Sequence, residues 1–217
     1  MQIDNSTNSV LITGGTQGLG YAIAKDLIEN GCKELIIAGR NPQKGVKAEK
    51  SLRETGSNVK YLKTDLADVT DCSHLISKSI KLFPNLNSLV NSAAITTRGN
   101  IEDTPLKLWE EHINTNLRAP FLLMQGLVRK LKAEEKPGSI VNIASTSAYT
   151  GQSFLTAYST SKGGLLTLSK NVAHSLRQDK IRVNVVAPGW MKTPGETEIQ
   201  KKFHGAGHDW IQKAENS

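Results

Sequence analysis

The sequence predicts an α/β chain: a doubly wound parallel sheet with helices on both faces. Three observations carry this. Short runs rich in Val, Ile and Leu recur along the chain, helical patterns separate them, and a glycine-rich turn follows the first run. The runs are residues 9–13, 34–38, 59–63, 88–92, 139–144 and 182–186. Several are apolar almost throughout, as strands covered on both faces are. Strand–helix–strand units in series call for right-handed crossovers and parallel strands. No repeat, low-complexity tract or linker interrupts them, so residues 1–217 read as a single domain.

The helices announce their ends. The pattern over 18–30 stops at Gly31, a residue suited to a left-handed helix exit. Asn41-Pro42 offers an N-cap followed by proline at the first helical position, and Thr104-Pro105 repeats that signal before a long helix. Phe83-Pro84 stops the helix before the fourth run. After Val186 no further strand is predicted. Residues 193–217 are polar and rich in Lys, Glu and Gly, and with Trp190, Met191, Phe203 and Trp210 they read either as a mobile lid or as a loosely packed surface segment.

Composition narrows the class. The chain has 217 residues, 27 Lys and Arg against 20 Asp and Glu, and 38% apolar residues, enough for one sizeable core and too apolar for a disordered chain. The net charge of +7 comes from scattered residues such as Lys44, Lys47, Lys50, Arg53, Lys60 and Lys63, interleaved with acids and polar groups. That is a solvated face, so no nucleic-acid partner is expected. No apolar run nears the ~18–20 residues that cross a bilayer, and residues 1–9 lack a signal-peptide pattern. Two cysteines, Cys32 and Cys72, read as reduced thiols. The expected location is therefore cytoplasmic, with no membrane association. His204 and His208 flank Gly205-Ala206-Gly207; two glycines disfavour the helix that would aim both imidazoles at zinc, and no metal site is expected.

The turn Gly14-Gly15-Thr16-Gln17-Gly18-Leu19-Gly20 lies between the first strand and an apolar helix. Glycines there let the backbone approach a pyrophosphate, and the helix N-terminus offers N–H groups to it. The spacing T-G-x-x-x-G-x-G, with no Lys-Ser/Thr after it, is not a P-loop. A Rossmann-type dinucleotide fold follows. At the end of the second strand, Ile37-Ala38-Gly39-Arg40-Asn41 carries no acid for a ribose 2′-hydroxyl, whereas Arg40 suits a 2′-phosphate. NADP(H) is favoured and NAD(H) stays possible. Further on, Tyr158 and Lys162 stand one helical turn apart, after a fifth strand that ends at Ser145. An ammonium on the same face is expected to pull the phenol pKa down toward the working range. The intervening Thr146, Ser147, Tyr149, Gln152 and Ser153 suit a hydroxylated substrate such as a sugar or polyol.

In this order and spacing, the motifs resemble the short-chain dehydrogenase/reductase family from about residue 9 to about residue 193. They are Thr13 to Gly20, Asp65 in Thr64-Asp65-Leu66, Asn91-Ser92-Ala93-Ala94, Asn116 in Asn114-Thr115-Asn116-Leu117, Ser145, Tyr158 with Lys162, and Pro188-Gly189 followed by Thr193. The resemblance implies an oxidoreductase that interconverts a carbonyl and a secondary alcohol on a small molecule. Its catalytic residues would be Asn116, Ser145, Tyr158 and Lys162. Its cofactor would be held by Gly14, Thr16, Gln17, Gly18, Leu19, Gly20, Arg40, Asp65, Leu66, Asn91, Ala93, Tyr158, Lys162, Pro188, Gly189 and Thr193. Tyr158 would move the proton, Lys162 would hold the nicotinamide ribose, Ser145 would orient the substrate oxygen, and Asn116 would support a water leading to solvent. Ser92 and Ala94 depart from the Asn and Gly frequent in the family. Family members continue into a seventh strand and assemble as homo-oligomers. This sequence stops at Ser217, so a sheet without that strand is expected, and a cofactor-binding protein with impaired turnover, or a truncated fragment of such an enzyme, is the alternative reading.

Overall fold

The computed structural model describes residues 3–205. Six parallel strands, β1 (Ser9–Thr13), β2 (Glu34–Gly39), β3 (Asn58–Lys63), β4 (Ser88–Asn91), β5 (Gly138–Ile143) and β6 (Ile181–Val186), form one sheet. Their order is β3-β2-β1-β4-β5-β6. The helices are α1 (Gly18–Glu29), α2 (Pro42–Arg53), α3 (Val69–Leu82), α4 (Leu106–Ile113), α5 (Ala119–Ala133), α6 (Thr156–Ser175) and α7 (Pro194–His204).

The two-residue period of the strands sorts side chains into two cores. On one face Val10, Ile12, Leu35 and Ile37 pack with Ala24 and Ile28 of α1 and Ala48 and Leu52 of α2. On the other, Leu11, Ile36, Leu89 and Ile140 pack with Leu75 of α3 and Leu123 and Leu127 of α5, with Leu168 and Val172 of α6 alongside. Each large aliphatic chain fully buried this way contributes about 1.5–3 kcal/mol. Every residue of β1 is buried, the condition expected of a strand covered on both faces.

β6 departs from that expectation. It forms one edge of the sheet, and Ile181 and Val183 are buried while Arg182, Asn184 and Val186 are exposed. Among the described residues nothing pairs with its outer side, so the strand alternates like one covered on a single face.

Most of the predicted punctuation holds. Asn41 accepts a hydrogen bond from the Lys44 N–H at 3.0 Å, with Pro42 at the first helical position, and Gly31 takes φ +100° after α1. The Thr104-Pro105 expectation needs correction. Pro105 is itself the N-cap, extended at φ −69° and ψ 149°, and the Thr104 hydroxyl donates instead to the Asn100 carbonyl. The long helix predicted beyond it is α4 and α5 joined through a π-helical turn over Asn114–Arg118. Such a wide turn re-aims one side chain, here Asn116, without ending the helix.

The helix α7 was not expected. Thr193 caps it by accepting from the Glu196 N–H at 3.1 Å, Pro194 opens it, and Gly205 leaves it at φ +57°. Thr-Pro-Gly-Glu spells a capping-box signature, so the signal was present in the sequence. Residues 194–204 thus form a helix within the segment read as a lid or surface tail. The His208 and Trp210 readings lie outside the described residues.

Candidate active site

Connections from β1 and β4 leave the sheet on opposite sides, which opens a crevice at their C-terminal ends. The glycine-rich turn crosses it. Gly14 takes φ +70° and comes so close to the segment after β4 that a Cβ there would lie 2.8 Å from the Ala93 Cα. A Cβ on Gly20 would lie 2.5 Å from the Gly14 carbonyl oxygen, so the first turn of α1 can seat against the loop only with glycine. The Thr13 hydroxyl accepts from the Ala93 N–H at 3.2 Å and ties the two loops together. Gln17, the N-cap of α1, supplies no side-chain cap bond, which leaves first-turn N–H groups for an anion.

A cavity of about 310 Å³ runs along this turn. Gly14, Thr16, Gln17, Gly18, Leu19, Gly20, Arg40, Asp65, Leu66, Ala93 and Thr193 line it. Arg40 is exposed at its rim, and the Lys44 ammonium donates to the Gln17 side-chain carbonyl at 2.6 Å. Asp65 accepts from the Ala67 N–H at 3.0 Å, which holds its loop in a tight turn. The chemistry of this lining, glycine backbone with open helix N–H groups and two cations beside it, fits a dinucleotide phosphate.

A second cavity, of about 660 Å³, adjoins the first. Ser145, Tyr158, Lys162, Pro188, Gly189 and Thr193 line it, with Leu19, Ser92, Ala94, Thr96, Thr193 and Glu196 shared between the two. Ser145 leaves β5 in extended conformation, and its hydroxyl accepts from the Ser147 N–H at 3.2 Å. The Thr146 N–H donates to the Pro188 carbonyl at 3.0 Å, which locks the loops after β5 and β6 against each other. Tyr158 and Lys162 share a face of α6, with the Lys162 Nζ 5.8 Å from the Tyr158 ring centre.

The model of the short chain dehydrogenase family matches residues 8–203. The chain belongs to the short-chain dehydrogenase family. It is 38% identical over 192 residues to an uncharacterized oxidoreductase of Thermotoga maritima, covering 88% of this chain and 73% of that protein. An NADP-dependent (R)-specific alcohol dehydrogenase of Lentilactobacillus kefiri is 33% identical over 186 residues, covering 85% and 73%. Among solved structures, a candidate short-chain alcohol dehydrogenase from Sinorhizobium meliloti superposes with a TM-score of 0.88 at 28% identity, over 98% of this chain and 82% of that one. As a short-chain dehydrogenase, this chain is an NAD(P)-dependent oxidoreductase, with a small molecule as substrate.

Within this short-chain dehydrogenase, the charge states in the site differ from the sequence expectation. Burial pushes the Tyr158 phenol above its ordinary value, and hydrogen bonding with Ser145 offsets only part of that. Lys162 is fully buried, and burial lowers its ammonium from 10.5 to about 8. Its Nζ donates to the Ile143 carbonyl at 2.6 Å. In the protein alone, burial of the phenol outweighs the groups that favour its phenolate. The protein alone therefore keeps Tyr158 protonated.

Two assigned residues line neither cavity. Asn91 is buried, with its amide donated to the Asn142 side chain at 2.8 Å. Asn142 in turn donates to Ser169 at 2.8 Å, so this polar chain pins β4, β5 and α6 in register. Asn116 accepts from the Ile95 N–H at 2.9 Å and donates to the Ile95 carbonyl at 3.1 Å and the Ser161 hydroxyl at 3.0 Å. Its amide braces the loop after β4 against α6.

Other wall residues escaped the sequence reading. Arg98 and Glu196 form an ion pair at 3.0 Å, and both line the larger cavity. They stand 98 residues apart, and no local signal joins them. His112, fully buried on α4, meets the Tyr158 ring edge-on with centroids 6.4 Å apart. Of the polar loop, Thr146, Ser147 and Gln152 line the cavity, while Tyr149 is exposed away from it.

Proposed function

We propose that this short-chain dehydrogenase interconverts a carbonyl and a secondary alcohol, with NADP(H) as the favoured cofactor. The observation that carries the reading is that Ser145, Tyr158 and Lys162 line one cavity that opens directly onto the glycine-turn cavity. When bound, the nicotinamide dinucleotide supplies or accepts the hydride. Gly14, Thr16, Gln17, Gly18, Leu19, Gly20, Asp65, Leu66, Ala93, Pro188, Gly189 and Thr193 would hold it. Lys162 would hold the nicotinamide ribose, and Arg40 would meet a 2′-phosphate. The NADP dependence named for the Lentilactobacillus kefiri relative supports that choice.

The chain's own residues handle the proton. Tyr158, kept protonated by burial, gives its proton to the substrate oxygen in reduction and takes one from the hydroxyl in oxidation. The Ser145 hydroxyl, already set by its bond from Ser147, orients that oxygen. Asn116 keeps the loop over the site in place through Ile95 and Ser161. Ser92, Thr96, Thr146, Ser147 and Gln152 add hydrogen-bonding groups to the wall, which suits a hydroxylated substrate such as a sugar or polyol. The test is steady-state turnover with NADPH and NADH against aldehydes, ketones, keto-sugars and ketoacids. Turnover of a hydroxylated ketone that disappears in Tyr158→Phe supports the reading. No turnover of any carbonyl, with NADPH still bound, would overturn it.

A further inference from the structure

The Arg98 side chain is only 6% exposed and that of Glu196 only 15%. Two opposite charges withdrawn from water to this degree are costly to separate. Arg98 comes from the loop after β4 and lies over the Phe154 ring at 5.4 Å. Glu196 sits in the first turn of α7, and its carboxylate also accepts from Gln200 at 2.8 Å. Glu196 lines both cavities and Arg98 the larger one, which also holds Tyr158. The pair is thus a charged contact from the β4 loop to α7 in the wall of the cavity that holds Tyr158.

We propose that Arg98 and Glu196 are a positioning pair, a buried clasp that fixes α7 across the mouth shared by the two cavities and balances the charge facing Tyr158. Other groups also face this phenol: Lys162 on its own helix, His112 from α4, Ser145 after β5, and Lys192 in the cavity wall. Arg98 favours the phenolate and Glu196 opposes it, so within the pair the two influences on the acid run against each other.

The inference rests on Tyr158 as the acid in the proposed reaction, but its test needs no turnover. Tyr158 is titrated by tyrosinate ultraviolet absorbance, taken as the difference from Tyr158→Phe, in Glu196→Gln, Arg98→Gln and the double variant. Glu196→Gln is expected to move the titration down, Arg98→Gln to move it up, and the double variant to return it toward the parent. Hydrogen exchange of the α7 amides should quicken at least tenfold in every variant while β1 stays protected. A purely structural role would move both single variants in the same direction. Shifts of the same sign, no shift, or unchanged α7 exchange would overturn the proposal. If Arg98→Gln does not fold, Arg98→Met takes its place, with the same upward shift expected. A parent without turnover would remove the functional reading and leave this titration valid.

Discussion

The Lys162 ammonium lies 2.6 Å from the Ile143 carbonyl, at the C-terminal end of β5 and out of contact with water. One hydrogen bond does not replace the hydration of an ammonium, and its fall to about 8 measures the difference. The fold carries that cost at a residue in the wall of the larger cavity.

Replacing Lys162 with Met should therefore stabilise the protein while abolishing turnover. The folded-state value lies below the ordinary 10.5, so between about 8 and 10.5 the unfolded chain binds more protons and stability rises with pH. Below about 8 both states are protonated and the full penalty stands. Lys162→Met should gain up to about 3 kcal/mol at pH 7, less what the orphaned Ile143 carbonyl costs, and the gain should shrink toward pH 10.5. Urea melts of parent and variant at pH 7 and pH 10 measure this.

Tyr158→Phe removes the proton donor and keeps the ring packed against His112. Turnover should fall by about 10²–10⁴-fold or more. NADPH binding, followed by fluorescence, should change less than about threefold, well under 1 kcal/mol. A variant that keeps most of its turnover would dismiss Tyr158 as the acid.

Because burial holds the Tyr158 phenol above its ordinary value of 10.0, the direction of reaction sets the pH profile. Reduction needs the phenol and should hold steady through neutral pH, falling only in alkali. Oxidation needs the phenolate and should climb with pH across the same range, about tenfold per unit while the phenolate is scarce. Initial rates in both directions from pH 6 to pH 10 read the difference.

Arg40 stands at the rim of the smaller cavity with no acid after β2. A charge-assisted contact to phosphate is worth about 1.5–3 kcal/mol, so NADPH should bind about tenfold to a hundredfold more tightly than NADH. Arg40→Asp should erase or reverse that ratio. Isothermal titration of both cofactors against parent and variant tests it, and equal affinities in the parent would end the NADP assignment.

Much of this protein was legible from its sequence, because the relevant physics is local. The six strands appear within one or two residues of the predicted runs: β1 and β2, buried on both faces, are apolar along their length, while β6 alternates because one face is exposed. Gly14 and Gly20 could be assigned in advance, because no other residue fits so near a neighbouring backbone. The positions of Ser145, Tyr158 and Lys162 at the sheet's C-terminal edge also followed, since each lies at a strand end or on the helix after it. Tertiary structure alone decided what depends on distant partners. The Arg98–Glu196 pair joins residues 98 apart. Asn116 became a brace through Ile95 and Ser161, which a π-helical turn aims it toward. The balance of charge in the site turned on burial, which raises the Tyr158 phenol and lowers the Lys162 ammonium by removing the water around each.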